Sequence, residues 1–307
     1  MIMFENLYHN HKYFYKYVTF DTACKILTNL EGKWSSPLLF NDPFDIQNDL
    51  AFGFKMEKFL QKIENEIKRM FFDSNEPVGD ESSFFLNSIK LLRQNPQSFP
   101  KEQVKAILNL QIREIKKLCK KYFMEKLKEN NEWWHSYIKD LRVFCLAEEH
   151  DNLLMWSHYA DSHKGAVIKF KCLPEFNTAF CAAKKVVYQK KVPVLEKNLD
   201  NFIKYVTAQK KIAYNNLFER FAFTKSIHWI YEKEWRAIHP KSEGNKELCE
   251  FFSFLPEEIF AVYLGCKMEK EDENKIISII NDKLEHVEIY KATKDKKNYK
   301  LNFERIK

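Results

Sequence analysis

Trp229-Ile-Tyr-Glu-Lys-Glu-Trp-Arg236 is the stretch that says most about how this chain folds. Side chains of a β-strand point alternately to the two faces of a sheet. If this stretch is a strand, one face carries the charged residues Glu232, Glu234 and Arg236. The opposite face then carries Lys233, Trp235 and Ala237. Two interpretations stay open, because such a row of charges fits a binding or catalytic ledge and equally fits a charge-compensated face toward solvent.

The composition indicates a globular protein with a large apolar core. Of the 307 residues, 45% are hydrophobic and 27 are Phe, which is far more apolar material than disordered chains contain. We predict a single domain over residues 1–307, with a helical insertion at 55–138. Apolar runs of membrane-spanning length and a signal peptide are both absent, so we expect no membrane partner. Seven scattered cysteines favour reduced thiols and a cytoplasmic location.

Charge and glycine content narrow the function classes. The net charge of +7 favours an anionic small molecule, a nucleotide or nucleic acid as partner, although lysines that merely solvate helices give the same balance. The six glycines are too far apart for a P-loop or a dinucleotide fingerprint. This excludes Walker-type ATPases, standard Rossmann dehydrogenases and hydrolases with a Gly-x-Ser-x-Gly elbow. The oligomeric state is not indicated.

Hydrophobic periodicity predicts an α+β fold, with a mixed or antiparallel sheet packed with helices. Strand signals occur at 13–20, 141–147, 166–171, 185–189, 233–239, 248–254, 259–264, 286–290 and 299–303. Helical signals occur at 22–27, 56–72, 101–129, 151–159, 199–223 and 272–284. We expect Gly32 to end the first helix.

The segment Phe40-Asn-Asp-Pro-Phe-Asp45 predicts a rigid turn. Asn and Asp side chains bond back to the local backbone, and Pro43 keeps the residue before it out of the helical region. The turn either aims Phe40 and Phe44 into the core or offers oxygen atoms to a ligand. In the second case the candidate ligand-binding residues are Asn41, Asp42 and Asp45.

The helical segment 151–159 supplies further candidate ligand contacts: Trp156, His158 and Tyr159. Packing is the simplest role for the two aromatic residues, but Tyr159 can also present its hydroxyl to a cleft. His158 and His163 are five residues apart, which does not suit metal ligation from a helix. We therefore expect no metal.

Neighbouring carboxylates raise each other's pKa, so Glu232 and Glu234 suit acid–base chemistry. Arg236 opposes this effect because it holds Glu234 in the charged form. A charged glutamate beside an arginine suits the binding of ribose hydroxyls or the stabilisation of an oxocarbenium ion. Arg236 is itself a candidate ligand contact.

Several stretches together match a known pattern: Tyr15-Lys-Tyr17, Ser36-Pro-Leu-Leu-Phe-Asn-Asp-Pro-Phe44, Met155-Trp-Ser-His-Tyr-Ala160 with Gly165, Trp229-x-Tyr-Glu-x-Glu-Trp-Arg236, and Ile259 to Gly265. In order and spacing they resemble the bacterial domain-of-unknown-function 2971 family. The resemblance covers nearly the whole chain apart from the helical segment 55–138. It implies a bacterial origin but no particular activity.

The order of elements also resembles that of ADP-ribosyltransferases, with an aromatic first strand, a helix, a short second strand and a late Glu-x-Glu. Such enzymes split the nicotinamide–ribose bond of NAD. The resemblance implies a similar fold, NAD as a substrate, Glu234 as the catalytic residue and Glu232 as its helper. The early nucleotide contacts would be Tyr15, Lys16 and Tyr17. The first strand carries neither the His nor the Arg that this family has there.

Three functional hypotheses follow, and the sequence does not decide whether the protein is an enzyme. The first is an ADP-ribosyltransferase-like effector that uses NAD on a protein or nucleic-acid target, in a toxin or phage-defence setting. The second is a non-enzymatic nucleic-acid-binding protein whose lysines and exposed aromatic residues contact a single strand. The third is a helical protein-interaction module formed by residues 101–129.

Overall fold

The chain forms two compact units in a computed structural model that describes residues 9–73, 84–95, 97–98, 100–207 and 217–307. The sheet unit consists of Met1–Asn48, Ser136–Val192 and Ala222–Lys307. The helical unit consists of Asp49–His135 and Pro193–Phe221. In the described ranges, no helix combines the length and the apolar character that crossing a membrane requires.

The strands have the following bounds: β1 (Tyr13–Val18), β2 (Glu31–Ser35), β3 (Leu141–Ala147), β4 (Ala166–Lys171), β5 (Lys184–Lys185), β6 (Val187–Gln189), β7 (Thr224–Ser226), β8 (Glu234–Pro240), β9 (Cys249–Ser253), β10 (Ile259–Leu264), β11 (Glu288–Lys294) and β12 (Leu301–Arg305). The α-helices are α1 (Phe20–Asn29), α2 (Met56–Phe72), α3 (Phe84–Gln94), α4 (Lys101–Lys139), α5 (Leu153–Tyr159), α6 (Leu199–Val206), α7 (Leu217–Ala222) and α8 (Lys270–Lys283).

The main sheet is mixed and mostly antiparallel, with the strand order β12-β11-β10-β4-β1-β3-β2-β9. β8 pairs with β3, and β5 pairs with β8. The pairing of β10 with β11 is parallel, and the other pairings in this sheet are antiparallel. β6 and β7 form a separate parallel pair. The predicted α+β fold class is confirmed, whereas nothing in these pairings establishes an ADP-ribosyltransferase-like fold.

The central strands serve two apolar cores because their side chains alternate between the two faces. In β1, Phe14 and Val18 enter the first core, whereas Tyr15 and Tyr17 enter the second. Helices α1 and α8 cover the first core with Ala23, Ile26, Leu27, Ile276 and Ile280. Helix α5 contributes to the second core. Full burial of each large aliphatic side chain stabilises the fold by about 1.5–3 kcal/mol.

The sheet divides at β3, because one of its edges is shared by two strands. β2 pairs with this edge at Val143 and β1 pairs with it at Ala147. Between these points, the Cys145 carbonyl accepts a hydrogen bond from the Lys16 ammonium group at 2.7 Å. Lys16 therefore fills the gap that opens between β1 and β2.

The helical unit has a core of its own. On α2, Phe59, Ile63 and Ile67 recur at helical spacing and are buried. They pack in one cluster with Phe202 and Ile203 of α6.

Some local predictions need correction. The stretch before Lys233 is not a strand but a 3₁₀ helix, Ile227–Glu232. Gly32 does not end α1, since Leu30 takes the left-handed conformation and Gly32 lies within β2. The helix predicted at 199–223 is α6 and α7, and residues 208–216 lie outside the described part. α4 runs ten residues beyond the predicted end, and α3 was not predicted. The domain extent 1–307 and the insertion at 55–138 stay predictions.

Two glycines permit a close approach of backbones next to α5. A Cβ at Gly165 would lie 2.2 Å from the Val18 carbonyl oxygen, and a Cβ at Gly265 would lie 2.1 Å from the His163 carbonyl oxygen. The Gly265 N–H donates to the Gly165 carbonyl at 2.9 Å. The turn after α5 is thereby held against β1 and the end of β10.

We predict that Gly165→Ala lowers the free energy of unfolding by about 3 kcal/mol, because the methyl group meets a backbone atom of the sheet that cannot move aside. Gly244→Ala is the control. Gly244 has φ +79°, and no atom lies within 4 Å of an added Cβ. The free energy of unfolding that this variant loses therefore reflects the left-handed backbone alone and should be about 1–2 kcal/mol. Urea unfolding measures both. Equal losses would contradict the close-approach argument.

Candidate functional site

Five charged side chains of the sheet unit meet in a buried group that we name the ionic cluster: Asp45, Lys225, Glu232, Glu234 and Arg236. Each of them is at most 7% exposed. They come from the predicted turn, from β7, from the 3₁₀ helix and from β8. Three carboxylates face two cations, so the ionic cluster has one formal negative charge in excess.

A change of backbone conformation brings Glu232 and Glu234 to the same place. Glu232 is the last residue of the 3₁₀ helix, and β8 begins at Glu234. Lys233 between them has φ 45°, in the left-handed region, and its side chain is exposed. Strand alternation was expected to place Glu232 and Glu234 on one face. The left-handed conformation of Lys233 brings them together instead.

Within β8 the predicted alternation is observed. Trp235 and Ala237 enter the first apolar core. Glu234 and Arg236 point to the other face, where they are 3% and 0% exposed. The interpretation of this face as a solvent-exposed surface is therefore excluded.

Arg236 is the most highly connected member of the ionic cluster. Its Nε donates to Glu234 Oε1 at 2.7 Å, and Nη2 donates to both Asp45 oxygens at 2.8 and 2.7 Å. Nη2 also lies 3.0 Å from Glu234 Oε2, and Nη1 donates to the Ala222 carbonyl at 2.7 Å. The planar guanidinium suits this role because its donors point in fixed directions.

Lys225 bridges all three carboxylates. Its Nζ donates to Glu232 Oε2 at 2.5 Å and to Glu234 Oε2 at 2.9 Å, and it lies 3.4 Å from Asp45 Oδ2. The other Glu232 oxygen accepts a hydrogen bond from the Tyr159 hydroxyl at 2.6 Å. Tyr159 itself is half-buried.

Burial and charge compete in setting the pKa values of these groups. Burial raises the pKa of Asp45 and that of Glu232, against the attraction of the nearby cations. Burial would also raise the pKa of Glu234, but Arg236 and Lys225 outweigh it and hold that pKa well below its usual range. Glu234 is therefore ionised, whereas Asp45 and Glu232 hold a proton more readily than exposed carboxyl groups do.

The predicted turn orients Asp45. Asp42 Oδ1 accepts a hydrogen bond from the Phe44 N–H at 2.9 Å, and the Asp42 carbonyl accepts one from the Asp45 N–H at 3.0 Å. Asp42 thus builds the turn, while Asp45 binds Arg236. Asn41 is exposed and lies close enough to affect the pKa of Tyr159. Phe44 is 64% exposed, so it does not point into the core.

The aromatic first strand stands apart from the ionic cluster's hydrogen bonds. Lys16 fills the gap in the sheet, and burial lowers its pKa. The Tyr17 hydroxyl donates to the Glu149 carbonyl at 2.9 Å and accepts from the Asn152 N–H at 3.2 Å. Tyr15 packs against the second core. These contacts join β1 to the segment that precedes α5.

The three candidates on α5 have different surroundings. Trp156 is fully buried, and its indole N–H donates to the His150 carbonyl at 2.7 Å. His158 is exposed, with Nδ1 3.3 Å from the Tyr231 hydroxyl. Tyr159 reaches the ionic cluster, since successive side chains of a helix point in different directions.

Two residues of the site were not among the candidates. Lys225 is the cation that all three carboxylates share, and the Tyr188 hydroxyl accepts a hydrogen bond from the Glu234 N–H at 2.8 Å. The sequence does carry a signal for Lys225, which is a lysine at the end of the apolar segment Phe221-Ala-Phe-Thr-Lys225. No sequence signal marked Tyr188.

The acidic groups of the site are paired with cations of the protein itself. Across the part of the chain that the structure describes, no group of three His, Cys, Asp or Glu side chains is arranged to hold a metal ion. The three carboxylates bind Arg236 and Lys225 instead.

A family comparison supports one of the two resemblances. Residues 155–237 match the family model described as a protein of unknown function, DUF2971. The match confirms the resemblance over these residues, which include the whole ionic cluster except Asp45. No curated protein and no solved structure matches the chain. The resemblance to ADP-ribosyltransferases stays a hypothesis.

Arg236→Met is predicted to lower the free energy of unfolding by about 3–5 kcal/mol, because it leaves Asp45 and Glu234 buried without their main cation. Arg69→Met is the matched control. The Arg69 guanidinium pairs with Glu66 at 2.8 Å while 47% exposed, so its loss should stay below about 1 kcal/mol. Chemical unfolding followed by circular dichroism compares them, and losses of similar size would argue against a buried network.

Glu232→Gln is predicted to change the pH dependence of stability. The pKa of Glu232 is raised in the folded protein, whereas in the unfolded chain it is about 4.3. Above that pH the unfolded chain ionises more readily than the folded protein does, and this lowers the free energy of unfolding. The wild type thus loses, as the pH rises through the folded pKa, a stability that it has at lower pH. As the pH rises above about 4, the difference in unfolding free energy should therefore shift in favour of the variant. A shift toward the wild type would show that the folded Glu232 ionises more easily.

Proposed function

We propose that the chain is an ADP-ribosyltransferase-like enzyme that uses NAD on a protein or nucleic-acid target, with the ionic cluster as its catalytic centre. The observation that carries the proposal is the convergence of residues from remote segments at one negatively charged site: Asp45, Tyr159, Glu232, Glu234 and Arg236. Groups with shifted pKa values concentrate at functional sites. A cytoplasmic location, which the scattered cysteines favour, is part of the proposal.

The charge of the ionic cluster suits a reaction in which positive charge develops. When the C1′–N bond of NAD breaks, its electron pair leaves with nicotinamide and the ribose becomes oxocarbenium-like. Fixed negative charge beside that ring stabilises it without reorganisation during the reaction. The acceptor then bonds to C1′, and its proton passes to a carboxylate or to water.

Glu232 is better placed than Glu234 to touch a substrate. Both oxygens of Glu234 bind Arg236, and one of them also binds Lys225. One oxygen of Glu232 binds Lys225, and the other accepts the hydroxyl of half-buried Tyr159. A ribose hydroxyl would compete for that second oxygen. In this proposal Glu232 is the catalytic residue and Glu234 a positioning residue, the reverse of the roles that the resemblance implied.

Side chains around Tyr159 would contact the rest of the nucleotide. Asn41 and His158 are exposed, and the ring centroids of His158 and Tyr231 are 6.1 Å apart. Asn41 supplies an amide for hydrogen bonding. The imidazole and phenol rings supply flat surfaces for stacking.

Nicotinamide release from NAD tests the proposal, with protein and nucleic-acid acceptors supplied and the product measured by chromatography. Glu232→Gln keeps the size of the side chain but removes its charge, and we expect a rate at least about 100-fold below that of the wild type. Tyr159→Phe removes one hydroxyl and leaves Glu232 in place, so the rate should change by less than about tenfold.

Glu243→Gln is the control, since it makes the same chemical change at an exposed residue after β8 and should leave the rate unaltered. Circular dichroism verifies that each variant is folded. Equal release by the wild type and Glu232→Gln would contradict the proposal, as would the absence of release with every acceptor.

A further inference from the structure

A second feature of the sheet unit is a surface cavity at the loop that joins β11 to β12, which we name the basic cavity. Its volume is about 660 Å³. Loop residues 294–300 form much of its lining, together with Lys267 after β10 and His163 of the turn after α5. None of these residues belongs to the ionic cluster, so the basic cavity is a separate candidate site.

Lysines dominate the lining: Lys267, Lys294, Lys296, Lys297 and Lys300. All five side chains are exposed. Asp295 is the one acidic residue of the lining, so five positive charges face a single negative charge. Among the described residues, Lys300 is the lysine of this group that has an ion pair, at 3.9 Å from Asp295. The basic cavity thus presents a strongly positive surface to solvent.

The Asp295 carboxylate accepts hydrogen bonds from the loop and from the start of β12. Its Oδ1 accepts from the backbone N–H groups of Lys297 and Asn298 at 2.9 and 2.8 Å. Its Oδ2 accepts from the Asn302 amide at 3.1 Å. The Asp295 N–H donates to the Lys300 carbonyl at 3.1 Å. The lysines therefore project from a hydrogen-bonded turn, which limits the conformational entropy lost when they bind a partner.

The same loop carries a fully exposed aromatic ring. Tyr299 has a relative exposure of 101% and stands directly before Lys300. An exposed tyrosine between basic residues can stack on a flat, unpaired base while the neighbouring ammonium groups contact phosphates. This combination distinguishes the loop from lysines that only solvate a helix.

Lys267 extends the positive surface beyond the loop. The Lys267 N–H donates to the His163 carbonyl at 3.0 Å, and His163 belongs to the turn that Gly165 and Gly265 hold in place. Cationic groups on two separate segments can contact successive phosphates of one strand.

We infer that the basic cavity binds single-stranded nucleic acid, with its lysines on the phosphates and Tyr299 stacked on a base. Phosphate contacts supply affinity that does not depend on base sequence. Stacking on Tyr299 requires an unpaired base, so a duplex of the same sequence binds more weakly. The inference does not rest on NAD chemistry, since it uses none of the residues of the ionic cluster.

Fluorescence anisotropy with a labelled single strand of about 12 nucleotides, as DNA and as RNA, tests the inference on the full chain. The titrations are repeated between about 50 and 200 mM salt. We expect saturable binding that weakens with salt. The triple variant Lys296→Ala/Lys297→Ala/Lys300→Ala should lower the slope of log K against log salt by about 2, at about 0.7 for each lost phosphate contact.

Tyr299→Ala should weaken binding by about 5- to 150-fold while leaving the salt slope unchanged, because it removes stacking and no charge. The matched control is Lys117→Ala/Lys121→Ala/Lys128→Ala on α4, whose lysines are 77%, 71% and 78% exposed. It removes the same net charge elsewhere and should alter binding by less than about twofold.

Several results would overturn the inference. One is the absence of binding to either strand. Another is an equal loss of affinity in the two triple lysine variants, which would mean attraction by net charge alone. A third is equal binding of the duplex, of a mononucleotide or of an acidic polypeptide, because none of these requires a base stacked within a strand.

Discussion

The guanidinium of Arg236 between Asp45 and Glu234 is the contact on which the rest of the ionic cluster depends. It joins β8 to the turn after β2, and it holds Glu234 ionised in a place where burial alone would neutralise it. Removing a charged partner from a buried group is far more damaging than removing one at the surface. Two local features bring the carboxylates to the cations Arg236 and Lys225. They are the left-handed conformation of Lys233 and the turn at Asp42.

The ionic cluster pairs most of its charges internally but not all of them. Three carboxylates and two cations leave one formal negative charge. The two cations hold Glu234 ionised, whereas burial raises the pKa of Asp45 and that of Glu232. The two glutamates differ in their hydrogen-bond partners, and this difference comes from the tertiary structure. Glu234 is fixed by the arginine, whereas Glu232 shares an oxygen with the hydroxyl of half-buried Tyr159. A carboxylate whose second oxygen is bound by a neutral hydroxyl would suit a substrate that becomes cationic as it reacts.

Helix α5 connects the two candidate sites of the sheet unit. Its last residue, Tyr159, binds the ionic cluster, while Leu153 at its start and His163 just after it line the basic cavity. The tight turn at Gly165 fixes this arrangement by contact with Val18. A strand bound in the basic cavity and a nucleotide bound at Glu232 would thus both contact the same short helix. The two proposals nevertheless fail or succeed separately, since they involve different side chains and different ligands.

Periodicity in the chain was sufficient to predict the α+β class, the strands at the centre of the sheet and the shared face of Glu234 and Arg236, because alternation is a local property of an extended backbone. It did not predict that this face is buried, nor that Glu232 reaches it from a 3₁₀ helix. Asp45 and Tyr159 become partners of this group through the tertiary fold, since Asp45 is 191 residues from Arg236 and Tyr159 is 73 residues from Glu232. Lys225 is near in sequence, but the turn through the 3₁₀ helix is what brings it to the carboxylates. Local side-chain patterns carry no information about such distant partners, and it is the partners that set both the burial and the ionisation of a charged group.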